Sequence, residues 1–262
     1  ISIFSAIENT FYAFIAFCLI AGTVYIMNDI CDVECDRVHN EKCNRPIASG
    51  ALPLWAATLE ASILLFLSIG LATNVDKRLL VCLIIYFVLQ VLYTLWLKRV
   101  VLVDVFLIAA GFVLRVYAGA VAARVDASTW MLVCTFAVAL LLALCKRHSE
   151  LMLLGENASK HRRVLADYSK EFLNVLIAAV SSLSVVCYSI YTLSPTTIEK
   201  LGTRLMFVTI PFVTFGIFRY VYLTLCKGKG GRPEKTLTQD IPIVIDVVFF
   251  VAVCIAIMIF KG

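Results

Sequence analysis

The sequence has no long polar stretch, and charged residues make up only 16% of its 262 residues. Hydrophobic residues account for 61%, and the mean hydropathy is +0.94. This composition excludes a soluble globular chain. Because no polar stretch is long enough to fold as a separate soluble domain, we expect residues 1–262 to form a single transmembrane helical domain.

Three other signals are also missing. The residue alternation of a membrane β-barrel is absent, which leaves α-helices as the structure that satisfies the backbone in lipid. The start of the sequence has no basic segment and no evident cleavage site, which excludes a signal peptide. The ten cysteines show no disulfide framework: most lie within apolar runs, where Cys packs as a small hydrophobe, and the cytoplasmic ones would stay reduced.

About eight apolar runs have the length that a helix needs to cross the hydrocarbon of a bilayer. They cover roughly residues 4–26, 52–73, 79–97, 103–122, 129–145, 170–192, 204–224 and 241–260. We therefore predict an all-α, polytopic membrane bundle. Because the sequence opens inside an apolar run, we also expect a ninth span to precede it.

Lys and Arg are distributed unevenly among the predicted loops. Most of them lie near 27–51, 98–102, 146–169 and 225–240. By the positive-inside rule, these loops are cytoplasmic, and both ends of the chain then lie outside. We predict a multi-pass protein of the cell (cytoplasmic) membrane, with a site formed by the loops near 27–51 and 146–169 and facing the cytoplasm.

The stretch N-D-I-C-D-V-E-C-D-R, residues 28–37, gathers acids where the first apolar run ends. If the helix continues, Asp29, Asp32 and Asp36 share one face, with Asn28 beside them. Carboxylates this close repel each other unless a cation holds them. Oxygen ligands suit Mg²⁺, which usually bridges a few carboxylates to substrate phosphates. We predict that these four residues bind Mg²⁺ together with a diphosphate, and that the three aspartates are catalytic.

The basic residues after the acidic stretch fit a phosphate site, but the stretch itself allows two other interpretations. Lys42 and Arg45 are expected to bind the remaining phosphate charge, and Arg does so bidentately. A solvated helix end without a ligand is the simplest alternative. A zinc site is another, because Cys31, Cys35, His39 and Cys43 recur every four residues. Four such ligands would extend over about 18 Å of straight helix, too far for one tetrahedral ion.

A second charged cluster is C-K-R-H-S-E-L, residues 145–151. Lys146, Arg147 and Glu150 lie on adjoining helix faces, and Tyr168 follows after another basic stretch. We predict an anion site here, opposite the aspartate face. Alternatively, Lys146 and Arg147 only complement the helix dipole and anchor the membrane interface.

Polar residues inside the apolar runs are few. Tyr86, Gln90 and Tyr93 recur at four and three residues and form a polar stripe. They either make interhelical hydrogen bonds or line the site. Asp246 is a lone acid in the last run, and the sequence assigns it no role.

Taken together, N-D-x-x-D-x-x-x-D followed by R-P-I-A-S-G resembles the UbiA superfamily of intramembrane prenyltransferases. The resemblance implies nine helices and Mg²⁺-dependent binding of a prenyl diphosphate at two Asp-rich motifs on cytosolic loops. The second Asp-rich motif is missing, and C-K-R-H-S-E-L stands near its expected place. This departure resembles the branch of decaprenyl-phosphate phosphoribosyltransferases.

The resemblance to that branch runs nearly end to end. It includes Y-x-x-x-Q-x-x-Y-x-x-x-L-K (86–98), L-R-x-x-A-G-A (114–120), F-R-Y (218–220) and G-R-P-E (231–234). It implies that phosphoribosyl pyrophosphate is the donor and a polyprenyl phosphate lipid is the acceptor. The substrate-binding residues that it implies are Asn28, Lys42, Arg45, Tyr86, Gln90, Tyr93, Lys98, Arg115, Lys146, Arg147, Glu150 and Tyr168. No nucleic-acid partner is expected, and the oligomeric state stays open.

Two alternative functions follow from the same residues. The first is a UbiA-type prenyltransferase that uses a prenyl diphosphate donor and an aromatic or lipid acceptor, which a second Asp-rich motif would have favoured. The second is a transporter, which predicts ionisable residues along a path through the membrane and often an internal repeat. The charges concentrate instead at one predicted face, and no clear repeat is visible.

Overall fold

The computed structural model describes residues 3–38, 42–154 and 163–260. Every regular element within these ranges is helical. The α-helices are α1 (Ile3–Cys31), α2 (Val33–Arg37), α3 (Leu54–Val75), α4 (Lys77–Leu95), α5 (Val103–Ala123), α6 (Thr129–Leu154), α7 (Lys170–Leu193), α8 (Pro195–Leu201), α9 (Ile210–Lys227), α10 (Pro233–Gln239) and α11 (Ile241–Ile259). Short 3₁₀ turns occupy Lys42–Asn44, Leu97–Arg99, Arg163–Asp167 and Leu205–Thr209.

Eight helical segments in the described ranges are long and apolar enough to cross a membrane. Their positions confirm the predicted all-α membrane bundle and its eight spans. Their boundaries follow local chemistry. Pro53 precedes α3, and the Asp76 side chain accepts a hydrogen bond from the Arg78 backbone N–H at 2.7 Å to cap α4. Gly228 ends α9 in the left-handed conformation, with φ of 66°.

The first of two compact units comprises Ile1–Lys98 and Leu114–Ala127. Its core is rich in alanine, which lets helix backbones approach closely in a membrane. The Ser68 hydroxyl of α3 donates to the Ala16 carbonyl of α1 at 2.8 Å, and Thr23 of α1 donates to Ala61 of α3 at 3.3 Å. These bonds and the close packing hold α1, and with it the acidic stretch that follows, against α3.

The second compact unit comprises Arg99–Val113 and Ser128–Gly262. Its core is formed by α6, α7 and α9 together with the first part of α5. α6 contributes several alanines and leucines to this core, and Cys145, in the second half of the helix, is fully buried. The charged residues that follow Cys145 are therefore attached to a helix whose preceding turns are fixed by packing. The organisation as one domain stays a prediction.

Candidate functional site

The acidic stretch begins on α1 and ends on α2. The helix does not run straight through it, because Asp32 has φ of −98° and ψ of 6° and separates the two helices. The hydrogen bonds of helical spacing nevertheless continue: Asp32 N donates to the Asn28 carbonyl and Asp36 N to the Asp32 carbonyl, each at 2.9 Å. The three carboxylates do not share one partner: Asp29 and Asp36 pair with Arg45, and Asp32 pairs with Lys98.

Arg45 bridges two of the predicted catalytic aspartates. Its Nη1 lies 2.7 Å from Asp29 Oδ1 and 2.9 Å from Asp36 Oδ2. Asp36 is buried, with 3% of its surface exposed, so its charge depends on this partner. Arg45 is positioned by the tight turn at Lys42–Asn44, where its own N–H donates to the Lys42 carbonyl at 2.9 Å.

Lys98 holds the third aspartate. Its Nζ lies 2.8 and 2.9 Å from the two carboxylate oxygens of Asp32. Lys42 Nζ is further away, 3.7 Å from Asp36 Oδ1. The first unit therefore brings together six predicted residues (Asp29, Asp32, Asp36, Lys42, Arg45 and Lys98) in one cluster of alternating charge. Asn28 is half-buried on the last turns of α1.

The donor set of this cluster suits a hard cation such as Mg²⁺, which prefers oxygen ligands and usually takes only one or two protein carboxylates. Asp29 and Asp36 already converge on one cationic nitrogen, so a cation between them matches their arrangement. Among the described residues no three His, Cys, Asp or Glu side chains are placed to hold a metal ion together. Cys31 and Cys35 are exposed, and His39 lies outside the described residues.

One residue of the polar stripe on α4, Tyr86, packs inside the first unit. Arg115 Nη2 donates to the Tyr86 hydroxyl at 2.6 Å, and its guanidinium lies 5.1 Å from the centre of the Tyr86 ring. Tyr86 is buried, whereas Gln90 and Tyr93 are half-buried. Tyr86 and Arg115 therefore form an interhelical contact, as the alternative interpretation of the stripe expected.

In the second unit, Arg147 forms a buried ion-pair network. Its Nε lies 2.7 Å from Asp104 Oδ2, and its Nη1 lies 2.5 Å from Glu150 Oε2. Arg147 is 1% exposed and Asp104 is fully buried. The two carboxylates compensate the charge of the guanidinium. Lys146, one residue earlier, is exposed.

Tyr168 completes this network. Its hydroxyl donates to Asp104 Oδ1 at 2.8 Å and accepts from the Leu102 N–H at 2.8 Å. Leu102 has φ of 66°, a left-handed conformation that is unfavourable for leucine, and the hydrogen bond that its N–H donates to Tyr168 helps to hold it. Burial raises the pKa of the Tyr168 phenol above its usual range, so the hydroxyl stays protonated and donates.

Sequence reasoning did not assign a role to two acids that the structure places in the second unit. Asp104 is the centre of the Arg147 network, and Asp240 makes a bidentate pair with Arg219, at 3.1 and 3.0 Å. The Arg219 hydrogen bonds lower the pKa of Asp240. Both acids lie at the start of an apolar run, a signal that marks them as partners for a cation. Asp246 faces Gly216 of α9, where an added Cβ would lie 3.2 Å from Asp246 Oδ2.

The eight spans make the protein an integral, multi-pass membrane protein. The UbiA prenyltransferase family model matches residues 3–227. The chain therefore belongs to the UbiA prenyltransferase family, and it is an enzyme.

Two similar proteins carry the name decaprenyl-phosphate phosphoribosyltransferase. The protein from Mycolicibacterium smegmatis is 33% identical over 87% of this chain and 73% of its own length. The protein from Corynebacterium glutamicum is 34% identical over 87% of this chain and 69% of its own length. A UbiA homologue from Archaeoglobus fulgidus bound to GPP and Mg²⁺ shares the fold, with a TM-score of 0.74, 18% identity, and coverage of 96% of this chain and 88% of that one.

Proposed function

We propose that the protein transfers the 5-phosphoribosyl group from phosphoribosyl pyrophosphate to a polyprenyl phosphate and releases pyrophosphate. The reaction takes place at the cytoplasmic face of the cell membrane and depends on Mg²⁺. The observation that carries this proposal is the similarity to two decaprenyl-phosphate phosphoribosyltransferases over 87% of the chain. The missing second Asp-rich motif supports the same branch of the family.

The acidic cluster of the first unit is the proposed donor site. Asp29 and Asp36, whose carboxylates converge, would hold a Mg²⁺ ion, and Asn28 and Asp32 would complete its ligands once Asp32 turns away from Lys98. The ion would supply positive charge against the pyrophosphate as it leaves. Arg45 contacts both Asp29 and Asp36 through Nη1 alone, and its guanidinium presents further N–H groups suited to a phosphate. Lys42 is half-exposed and lies at the edge of the cluster, where it can turn toward the donor.

The proposed reaction needs no strong general base. An oxygen of the lipid phosphate forms a bond to C1 of the ribose, and the bond from C1 to the pyrophosphate oxygen breaks, with the electron pair leaving on pyrophosphate. Attack from the face opposite the leaving group inverts the configuration at C1. Because the acceptor phosphate is already an anion, the residues that matter are those that orient it and stabilise the departing charge.

Within the second unit, the proposed role of the Arg147 network is to position the segments that it joins, not to contact the substrate. Arg147, Asp104 and Tyr168 fix the start of α5 and the segment before α7 to the end of α6. Lys146, which is exposed and lies on the same turn of α6 as Arg147, is the better candidate in this cluster for binding an anion. Gln90, Tyr93 and Glu150 stay candidates for contact with substrate.

The function is tested by supplying two donors to the purified protein in detergent. We expect labelled phosphoribosyl pyrophosphate and polyprenyl phosphate to give a labelled phosphoribosyl lipid. Labelled prenyl diphosphate with an aromatic or lipid acceptor should give no product. Turnover with prenyl diphosphate and its acceptor, but not with phosphoribosyl pyrophosphate, would overturn the proposal in favour of ordinary prenyl transfer.

Asp32→Asn tests the donor site within the same assay. This change removes one anionic oxygen ligand, so we expect turnover to fall by roughly 100-fold or more while the protein stays folded. Glu34→Gln is the matched control, because Glu34 belongs to the same stretch but is exposed and pairs only with exposed Arg37 among the described residues. Near-normal turnover of Asp32→Asn would contradict the metal assignment.

A further inference from the structure

A cavity of about 400 Å³ lies in the second unit, beside the segment that joins α9 to α10. Its walls come from the end of α9, the segment 228–232 and α10. The basic residues of this segment predict that it lies on the cytoplasmic side, and the G-R-P-E motif (231–234) begins in it and continues into α10. No residue that lines this cavity takes part in the reaction proposed above.

The cavity carries an excess of positive charge. Lys229, Arg232 and Lys235 line it, and Asp240 is its only carboxylate among the described residues. Asp240 is already held by the two hydrogen bonds from Arg219, so its charge is compensated from outside the cavity lining. Lys229 and Lys235 favour an anionic ligand.

The wall of the cavity is fixed on the helices behind it. A Cβ added at Gly230 would lie 2.6 Å from Thr224 Cγ2 and 2.7 Å from Ser149 Oγ, so this glycine packs directly against α9 and α6. The Lys229 N–H donates to the Leu223 carbonyl at 3.0 Å, and the Thr236 hydroxyl donates to the Lys229 carbonyl. These contacts hold the backbone at Lys229 in place before any ligand arrives, which reduces the entropy lost on binding.

One side of the cavity is apolar. Leu153 and Leu223 line it, and Leu153 is 77% exposed. Leu153 lies at the end of the fifth candidate membrane span. A ligand with a phosphate at one end and a hydrocarbon chain at the other would match both sides of this cavity.

We propose that this cavity is a phosphate monoester site, with Lys229 and Lys235 as ligands of the phosphate. Both substrates of the proposed function carry a phosphate monoester, and the assignment to either of them rests on that function. The apolar side favours the lipid-borne phosphate of the acceptor over the 5-phosphate of the donor.

Direct binding to the full chain in detergent tests the proposal without turnover. Farnesyl phosphate serves as the lipid-borne monoester, ribose 5-phosphate as the soluble one, and farnesol as the phosphate-free probe. We expect the double variant K229M/K235M to weaken farnesyl phosphate binding by about tenfold or more, since two charge-assisted contacts are lost. Farnesol binding and the melting temperature should not change. Lys227→Met is the matched control, because Lys227 is exposed in the same segment but does not line the cavity.

Each result has a distinct meaning. Weaker binding of ribose 5-phosphate instead of farnesyl phosphate supports the site and assigns it to the donor. Unchanged dissociation constants for both monoesters in K229M/K235M overturn the proposal, as does an equal loss in Lys227→Met. If farnesyl phosphate binds as expected but no phosphoribosyl transfer occurs, the proposed function fails and the phosphate site stands.

Discussion

At Arg45 a single guanidinium nitrogen contacts the carboxylates of Asp29 and Asp36. Without that cation the two carboxylates would repel each other, and Asp36 would be a buried charge without its closest partner. Lys98 has the same role for Asp32. The acidic cluster is therefore stable without a divalent ion only because basic side chains occupy the positions between its carboxylates.

Replacing Arg45 tests this balance. Arg45→Met should lower the stability by about 1–2 kcal/mol in EDTA, because the carboxylates lose their shared cation. Mg²⁺ should then raise the melting temperature of the variant more than that of the wild type. Arg37→Met is the control for Arg45→Met, because it removes an exposed cation from the same stretch. If Arg45→Met melts like the wild type in EDTA, the bridging role is wrong.

At the scale of elements, Tyr168 joins the segment before α7 to the start of α5. Tyr168→Phe removes the hydrogen bonds to Asp104 and Leu102, so we expect a loss of about 1–3 kcal/mol at neutral pH. The raised pKa of this phenol means that its contribution is present below the usual pKa of 10 and is lost as pH rises above it. The stability gap between wild type and variant should therefore narrow above pH 10.

Thermal melts at several pH values measure that gap. Tyr222→Phe is a suitable control, because Tyr222 is 40% exposed and makes cation–π contacts through its ring. A gap that stays constant or widens above pH 10 would contradict the assigned hydrogen bonds.

Gly230 tests the packing of the segment between α9 and α10. Gly230→Ala should destabilise the protein by roughly 1–3 kcal/mol, because the new methyl group would overlap Thr224 and Ser149. Gly231→Ala is the matched control, since its Cβ would meet only Ser149 Cβ, at an ordinary 3.6 Å. Equal melting temperatures of the two variants would mean that the segment is not held as described.

The sequence predicted the elements better than the pairings. Eight apolar runs determine eight spans because length and composition decide whether a helix crosses a membrane. The interruption at Asp32 depends on the backbone angles of one residue, which spacing alone does not reveal. The ion pair of Arg147 with Asp104 was not predicted, because the two residues are 43 positions apart and no local pattern connects them.

At the scale of the whole molecule, the distribution of Lys and Arg predicts which loops face the cytoplasm. Single cysteines at Arg99 and Asp126, in a cysteine-free background, lie on either side of the span Val103–Ala123. We expect a membrane-impermeant maleimide added to intact cells to label Asp126→Cys and to leave Arg99→Cys unlabelled until the cells are opened. The reverse pattern would place the acidic cluster on the outer face, away from a cytosolic donor.

The most direct measurement of the central claim is a transfer assay with labelled phosphoribosyl pyrophosphate and polyprenyl phosphate, with Mg²⁺ and with EDTA. The account predicts a labelled lipid with Mg²⁺, none with EDTA, and recovery when Mg²⁺ is restored. A full rate in EDTA would contradict the metal's role. No labelled lipid under any condition, from protein that is folded and binds farnesyl phosphate, would contradict phosphoribosyl transfer itself.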